Sequence, residues 1–318
     1  MNLQNNLTIC IPTYNRKNSI IRLVSSIIKQ DLLSVANLIV IDDGSSDETS
    51  TELNKIEIPE GVNVRFIKQE NRGLAATFLR FFSECQTEYL MMMADDDKIK
   101  GIIQLINFLN ETKPDFASTV WLGNDEQTIF RGQTNAAKLK TSEIRRAADH
   151  APGLVYRVEA FEEAISNFQK ELEMKSYAAY IFPQVVLVFF LSLYSDNLWW
   201  CPIGSGGFNI KGAETSGLRD KSGNHWSSVA GRWQEQKSFS SMYLQLSKTS
   251  NSNARKLEYE KILANHNSEA FIRLRSGIVL EAPELIDQYD GGSVFYLLRN
   301  FPKRIKPFWL YLKNRYNI

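Results

Sequence analysis

The chain has 318 residues, 43% hydrophobic and 23% charged, with a formal net charge of +1. Such a composition excludes a disordered or fibrous chain and leaves ample core for one large domain or two modest ones. The near-neutral charge argues against a nucleic acid partner, and three widely spaced cysteines, Cys10, Cys85 and Cys201, imply neither a disulfide framework nor a zinc site.

Cys10 and Cys85 stand in apolar contexts and are expected as reduced core residues of a cytoplasmic protein. The opening MNLQNNLTICIP has no basic start followed by a long apolar run, so no signal peptide is expected. Leu7–Pro12 (LTICIP) reads as a buried strand stopped by proline. In KNSIIRLVSSIIKQ, Ile20, Val24, Ile27 and Ile28 fall on one helical face. ANLIVIDDGSSDET gives a second strand over Leu38–Ile41, a polar turn, and a helix starting near Asp47 with Ser46 as its cap. Val62–Lys68 is a third strand, GLAATFLRFFSEC a helix opening at Gly73, EYLMMM a fourth strand, and KIKGIIQLINFLNE a fourth helix.

Strands that are apolar on both faces and alternate with helices predict a mostly parallel sheet covered on both sides. Ligands bind such sheets at the carboxyl ends of the strands. The polar clusters TYNR, DDGSSD, QENRG and ADDD all fall at those ends, and four clusters on one edge make a site.

Pro114–Leu122 reads as another strand, and residues 123–150 as a weakly patterned, mobile loop. PGLVYRVEAFEEAISNF restarts order with a strand and a helix. The apolar stretch Tyr177–Tyr194 is broken by Pro183, Gln184 and Ser192, and is shorter than the ~20 residues a spanning helix needs, so a buried helix is expected. From about residue 203 the chain turns glycine-rich and polar, then helical, which places a boundary there.

The run ADDD, Asp95, Asp96 and Asp97 at the end of the fourth strand, has three readings: a solvated turn, a calcium loop, or a site for a divalent ion carrying a phosphorylated ligand. DDDKIKGIIQLI lacks the spaced ligands and closing glutamate of an EF-hand. Mg2+ or Mn2+ held by one or two carboxylates plus diphosphate oxygens would cancel the like-charge repulsion.

The segments TICIPTYNR, LIVIDDGSSDET, QENRGLAAT and EYLMMMADDDKI stand in the order and spacing of family 2 glycosyltransferases of the GT-A fold. The chain resembles that family strongly over residues 7 to 110 and weakly over 151 to 202. The resemblance implies an α/β GT-A domain over residues 1–202, with a donor half (1–122) and an acceptor half (151–202), followed by a C-terminal loop and helical region (203–318). It implies transfer of a sugar from a nucleotide-sugar to a glycan, with Mn2+ or Mg2+ on an Asp-x-Asp motif. Pro12, Thr13, Tyr14 and Arg16 would line the donor pocket, with Tyr14 stacking on the base or merely covering the sheet edge. Asp43 would accept a hydrogen bond from the base, and Asp42 would support its turn. Asn71, Arg72 and Gly73 would approach the donor where a helix begins. Arg72 then serves either the departing diphosphate or the surface. Asp95 and Asp97 form the Asp-x-Asp pair, with Asp97 on the metal and Asp95 or Asp96 touching ribose or donor sugar.

Family members carry an acidic pair at the start of the helix after the acceptor-side strand, and its second member takes the acceptor proton. Here that helix starts YIFPQ, with Pro183 and Gln184 in place of the acids, and a glutamine amide cannot take a proton. Glu171, Glu173, Asp196 and His225 are the alternatives, unless a retaining route needs no such base. YIFPQ after PGLVYR is similar to the abequosyltransferase-like branch of bacterial surface-polysaccharide enzymes (O-antigen or capsule). His225 is either a third metal ligand or an ordinary surface histidine. The basic, aromatic tail over residues 299–318 suits either an anionic membrane surface or docking on its own domain or a twin subunit. The expected partners are therefore a nucleotide-sugar, a lipid-linked glycan and the inner face of the plasma membrane, with no nucleic acid. Two other functions fit less well. A nucleotidyltransferase would carry a glycine-rich loop after the first strand, which IPTYNRKNS lacks. A non-catalytic sugar-nucleotide sensor is raised by Gln184.

Overall fold

The computed structural model describes residues 6–123, 125, 127–208 and 228–268. Strands β1 (Leu7–Thr13), β2 (Asn37–Asp42), β3 (Val64–Lys68) and β4 (Tyr89–Met92) are mutually parallel, in the order β3-β2-β1-β4. Every residue of β2 and all of β1 except Pro12 are buried, as expected of strands covered on both faces. Helices α1 (Lys17–Lys29), α2 (Thr49–Leu53), α3 (Leu74–Glu84) and α4 (Ile102–Thr112) alternate with these strands. Helix α1 buries Ser19, Ile20, Leu23, Val24 and Ile27, the stripe its periodicity predicts, while Ile28 lies at the edge of that stripe. Helix α2 begins later than expected. Asp47, not Ser46, supports its start by accepting from the backbone N–H of Thr49 at 3.0 Å.

The sheet then continues in a way the alternating pattern does not foretell. β9 (Leu154–Arg157) runs antiparallel between β4 and β6 (Phe116–Leu122), and β10 (Leu198–Gly207) lies parallel to β6. Both β4 and β6 oppose β9, so β6 and β10 point the same way as β1 to β4. All their carboxyl ends, and the Gly153 turn that begins β9, share one edge of the sheet. Tyr156 holds the reversed strand: its ring packs against Phe78, Phe82, Phe116 and Phe161 with centroids 5.2–5.7 Å apart.

Residues 123–150 are not the loop their composition suggests. They include β7 (Ile129–Arg131) on β6, β8 (Ala137–Lys138) on β10 and a short helix, α5 (Ile144–Ala147). Their order comes from pairing with β6 and β10, contacts distant in sequence that local polarity cannot reveal. Helix α6 (Glu162–Glu173) leads through α7 (Tyr177–Ile181) to α8 (Pro183–Leu191). All nine residues of α8 are buried, so this greasy stretch is core. Among the described residues no helix is long and apolar enough to cross a membrane.

Of the described residues, those up to 208 and 246–259 belong to one compact unit, and 228–245 and 260–268 to a second. In the first, Tyr259 of α10 (Asn253–Ser268) hydrogen-bonds Ser192 at 2.8 Å. In the second, the His266 ring lies among Phe239 and Tyr243, and the α9 helix (Val229–Thr249) supplies both aromatics. The basic tail expected to dock or bind membrane lies outside the described residues.

β10 is joined to the two-residue strand β5 (Lys98–Ile99) through glycines. A Cβ on Gly206 would stand 2.2 Å from the Lys98 carbonyl oxygen and 2.6 Å from the Trp121 ring. Both neighbours are rigid, so Gly206→Ala is expected to destabilise the protein by about 2 kcal/mol or more, read as a lowered urea midpoint at unchanged slope.

Candidate active site

The four polar clusters meet at the carboxyl edge and interlock. After β1, Asn15 adopts a left-handed conformation (φ 52°), which asparagine tolerates better than most residues. Its side-chain oxygen accepts from the backbone N–H of Ser46 at 2.8 Å, and its own N–H donates to Ser45 Oγ at 2.8 Å. The first two loops are thereby joined. Asp42 holds the second turn by accepting from Ser45 N–H and the Ser50 hydroxyl, the supporting role expected of it. Gly44 then lets the third loop approach, for a Cβ there would lie 2.6 Å from the Asn71 nitrogen.

Asp43 is buried and ties the second loop to the third. Its carboxylate accepts from the backbone N–H groups of Arg72 (2.9 Å) and Gly73 (2.8 Å) and from Gln69 Nε2 (2.6 Å). It thus acts at the entrance of α3, where negative charge is favoured. Gly73 has φ +82° and lies under the Tyr180 ring, which would meet a Cβ at 3.5 Å. The exposed Arg72 side chain lines a groove of about 700 Å³ between α3 and α6, shared with Gln69, Arg80 and Glu159. Tyr14 is 47% exposed on the same edge, beside half-buried Pro12.

The fourth loop carries the three aspartates, and the structure gives them different environments. Asp95 accepts from the Thr13 hydroxyl at 2.7 Å and from Arg16 at 2.9 Å, one on each oxygen. Arg16 also bridges to Asp96 at 3.0 Å. Arg16, expected on the donor, therefore serves first as the counter-charge of two aspartates. Burial raises the Asp95 carboxyl, and Arg16 and Thr13 oppose that rise. Asp97 is also buried, yet among the described residues no hydrogen bond or ion pair reaches its carboxylate. Desolvation, then the neighbouring Asp96 and Asp95, push it up to about 8, against the weaker fields of Arg16 and Arg131. Of the Asp-x-Asp pair, only Asp97 has its carboxylate uncommitted to protein. Among the described residues no three acidic, histidine or cysteine side chains converge on one point.

On the acceptor side, Pro183 begins α8 and Gln184 follows it, buried. Proline belongs at a first helical position, so the sequence change there is also a helix start. Asp196, one alternative base, lies at the far edge of the sheet: it precedes β10 and pairs with Arg255 at 2.7 Å. Glu171 is buried on α6 and Glu173 exposed at its end. His225 lies outside the described residues.

Sequence reasoning passed over Asn15, Gln69, Tyr180 and Arg131. Asn15 and Gln69 stood inside quoted clusters and could have been found as strand-end polar residues. Arg131 gave no signal, being one arginine in a weakly patterned segment, yet it is 3% exposed.

The model of glycosyl transferase family 2 matches residues 8–164. Over 119 residues the chain is 29% identical to glycosyltransferase GlyG of Streptococcus pneumoniae, covering 37% of this chain and 38% of that protein. Over 96 residues it is 33% identical to a teichoic acid poly(glycerol phosphate) polymerase of Staphylococcus epidermidis, covering 30% of this chain and 13% of that protein. The matched region thus spans well under half the length of either curated relative. Among solved structures, S. aureus TarS 1–349 in complex with UDP-GlcNAc superposes with a TM-score of 0.61 at 16% identity, covering 87% of this chain and 76% of that one. A mannosyltransferase from Pyrobaculum calidifontis in complex with GDP-Man and Mn2+ gives 0.55 at 14% identity, covering 99% and 82%.

Two outcomes test this geometry. Asp43→Ala strips the acceptor from two backbone N–H groups and one amide, and is expected to lower stability by about 3 kcal/mol, measured by denaturant unfolding. His150, packed among Trp121, Phe130 and Phe208, is held neutral: burial, then Arg131, lowers it to about 3. The unfolded chain binds that proton below about pH 6.5, so His150 makes stability fall as pH drops from about 6.5 toward 3. His150→Phe should flatten that part of the stability–pH curve relative to the parent protein.

With the interlocked strand-end loops, the matching profile and the shared GT-A fold, residues 8–164 of this chain are a glycosyl transferase family 2 domain.

Proposed function

We propose that this protein transfers a sugar from a nucleotide-sugar donor to a growing glycan of the bacterial cell surface, with a divalent cation held at Asp97. The observation that carries this reading is the buried Asp97 carboxyl, which no hydrogen bond or ion pair reaches among the described residues, beside two aspartates that Arg16 bridges. Burial and its two acidic neighbours keep the Asp97 carboxyl protonated up to about pH 8, and a bound cation would take the place of that proton. When bound, Mn2+ or Mg2+ would supply positive charge for the departing diphosphate.

The chain's own residues divide the remaining work. Tyr14 and Pro12 flank the nucleotide, and Asp43 keeps the Asn71–Gly73 turn open to it. Thr13 and Arg16 fix Asp95 and Asp96, so that these face the ribose and donor sugar rather than each other. Arg72, which lines the α3–α6 groove, is the candidate to meet the diphosphate. Gln184 occupies the acceptor side as a hydrogen-bonding group and takes no proton. His225 is the candidate to complete the cation's shell. Likeness to a teichoic acid polymerase and to a TarS structure holding UDP-GlcNAc supports a surface-glycan acceptor and a nucleotide-sugar donor. A lipid-linked acceptor would place the protein at the inner membrane face through residues 299–318.

The experiment is a thermal-shift series with UDP, GDP, CDP and dTDP, with and without MnCl2, on the parent protein and Asp97→Ala. A ligand that binds only the native state raises Tm. The parent should show a Mn2+-dependent rise with one nucleotide. Asp97→Ala should fold with equal or greater stability, lose that rise, and lose sugar transfer by at least a hundredfold. Full turnover by Asp97→Ala would refute the cation assignment. Pyrophosphate release from a nucleoside triphosphate and a sugar phosphate would favour a nucleotidyltransferase instead.

A further inference from the structure

The loop that carries Asp95–Asp97 is anchored at both ends by strands from the second half of the sheet. Before it, the Met92 carbonyl accepts from Gly153 N–H at 2.7 Å. After it, Lys100 N–H donates to the Ser205 carbonyl at 3.0 Å, and Ile99 pairs with Gly206. The two anchors are themselves joined. Thr119 Oγ1 donates to the Gly153 carbonyl at 2.7 Å and shares a hydrogen bond with the Ser205 hydroxyl. Gly153, at φ +78°, fits only because it has no side chain: a Cβ would lie 2.6 Å from Thr119 Oγ1 and 2.8 Å from Ser205 Oγ.

Arg131 stands at the centre of this arrangement. Its guanidinium donates to the carbonyls of His150, Thr119 (3.4 Å) and Pro152 (2.7 Å), which gathers β6, β7 and the turn before β9 onto one side chain. Burial lowers its pKa to about 10, so it stays cationic at neutral pH. Burying a full charge among carbonyls is a costly way to join loops, since neutral donors would serve. The largest electrostatic partner of Arg131 is Asp149, just before the turn that the arginine pins, with Asp97 contributing less, so its hold on the acidic loop runs through the backbone of the His150–Gly153 turn.

We propose that Arg131 is the positioning residue of the acidic loop: by pinning the His150–Gly153 turn, and through it Met92, it sets where the Asp97 carboxylate stands. This rests on the reading of Asp97 as the cation-holding residue. Residues that orient a metal ligand from behind typically change metal affinity by about 10–100-fold when replaced.

The test measures, by titration calorimetry, the MnCl2 concentration that half-saturates nucleotide binding, using UDP with GDP, CDP and dTDP as alternates. Arg131→Lys keeps the charge but loses the planar fork. It should fold and raise the Mn2+ requirement about tenfold. Arg131→Met should raise it further. Thr119→Val, which loosens the same anchors and leaves Arg131 in place, should act in the same direction and covers the case in which Arg131→Met does not fold. Arg157→Met is the control. Arg157 ends β9, at the opposite end of that strand from the Gly153 turn, and pairs with Asp115 at 2.8 Å. It should lower Tm and leave the Mn2+ requirement unchanged. Folded Arg131→Lys and Thr119→Val proteins with the parent's Mn2+ requirement would overturn the inference, as would an equal change in Arg157→Met. Absence of Mn2+-dependent nucleotide binding in the parent would instead overturn the cation reading, and this inference with it.

Discussion

Three adjacent carboxylates at a buried sheet edge repel one another, and the structure resolves that repulsion unevenly. Arg16 bridges Asp95 and Asp96, at 2.9 and 3.0 Å, offsetting one of their two charges, and Thr13 adds a hydrogen bond to Asp95. Asp97 receives no such partner among the described residues and is pushed up to about 8 by burial and by its two neighbours.

The imbalance requires close, rigid approach of loops from distant parts of the chain. Glycine supplies the approach at Gly44, where the Asn71 backbone passes within reach of any Cβ, and at Gly206, where the Lys98 carbonyl does the same. Hydrogen bonds supply the rigidity. Asn15 holds the second loop, Asp43 the third, and Gly153 and Ser205 the fourth. The charged residues at the edge thus fall into two classes. Asp42, Asp43 and Arg16 hold protein to protein, and the Asp97 carboxyl takes no part in that bracing.

Much of this was legible in the residues alone. The first four strands and their helices appear near the positions their apolar runs predicted, because buried parallel strands and amphipathic helices impose local patterns. Asp42's turn and Gly73's place at a helix entrance were likewise written in short motifs. Arg16 was placed with the ligand, yet its first partners are aspartates some 80 positions away, a distance no local pattern encodes. Residues 123–150 read as a loop because their strands are only two or three residues long, too short to show a period. Their order comes from β6 and β10.

The sequence by itself determined the alternating fold, the common edge of the four clusters and the family, since each rests on periodicity or on motif order along the chain. Only the tertiary structure decided which aspartate is left unpaired, that β9 runs backwards, that Asp196 lies at the wrong edge, and that an arginine from a featureless segment sits buried behind the acidic loop. Charge pairing and burial depend on distance in space, and that is fixed only when the strands have closed into one sheet.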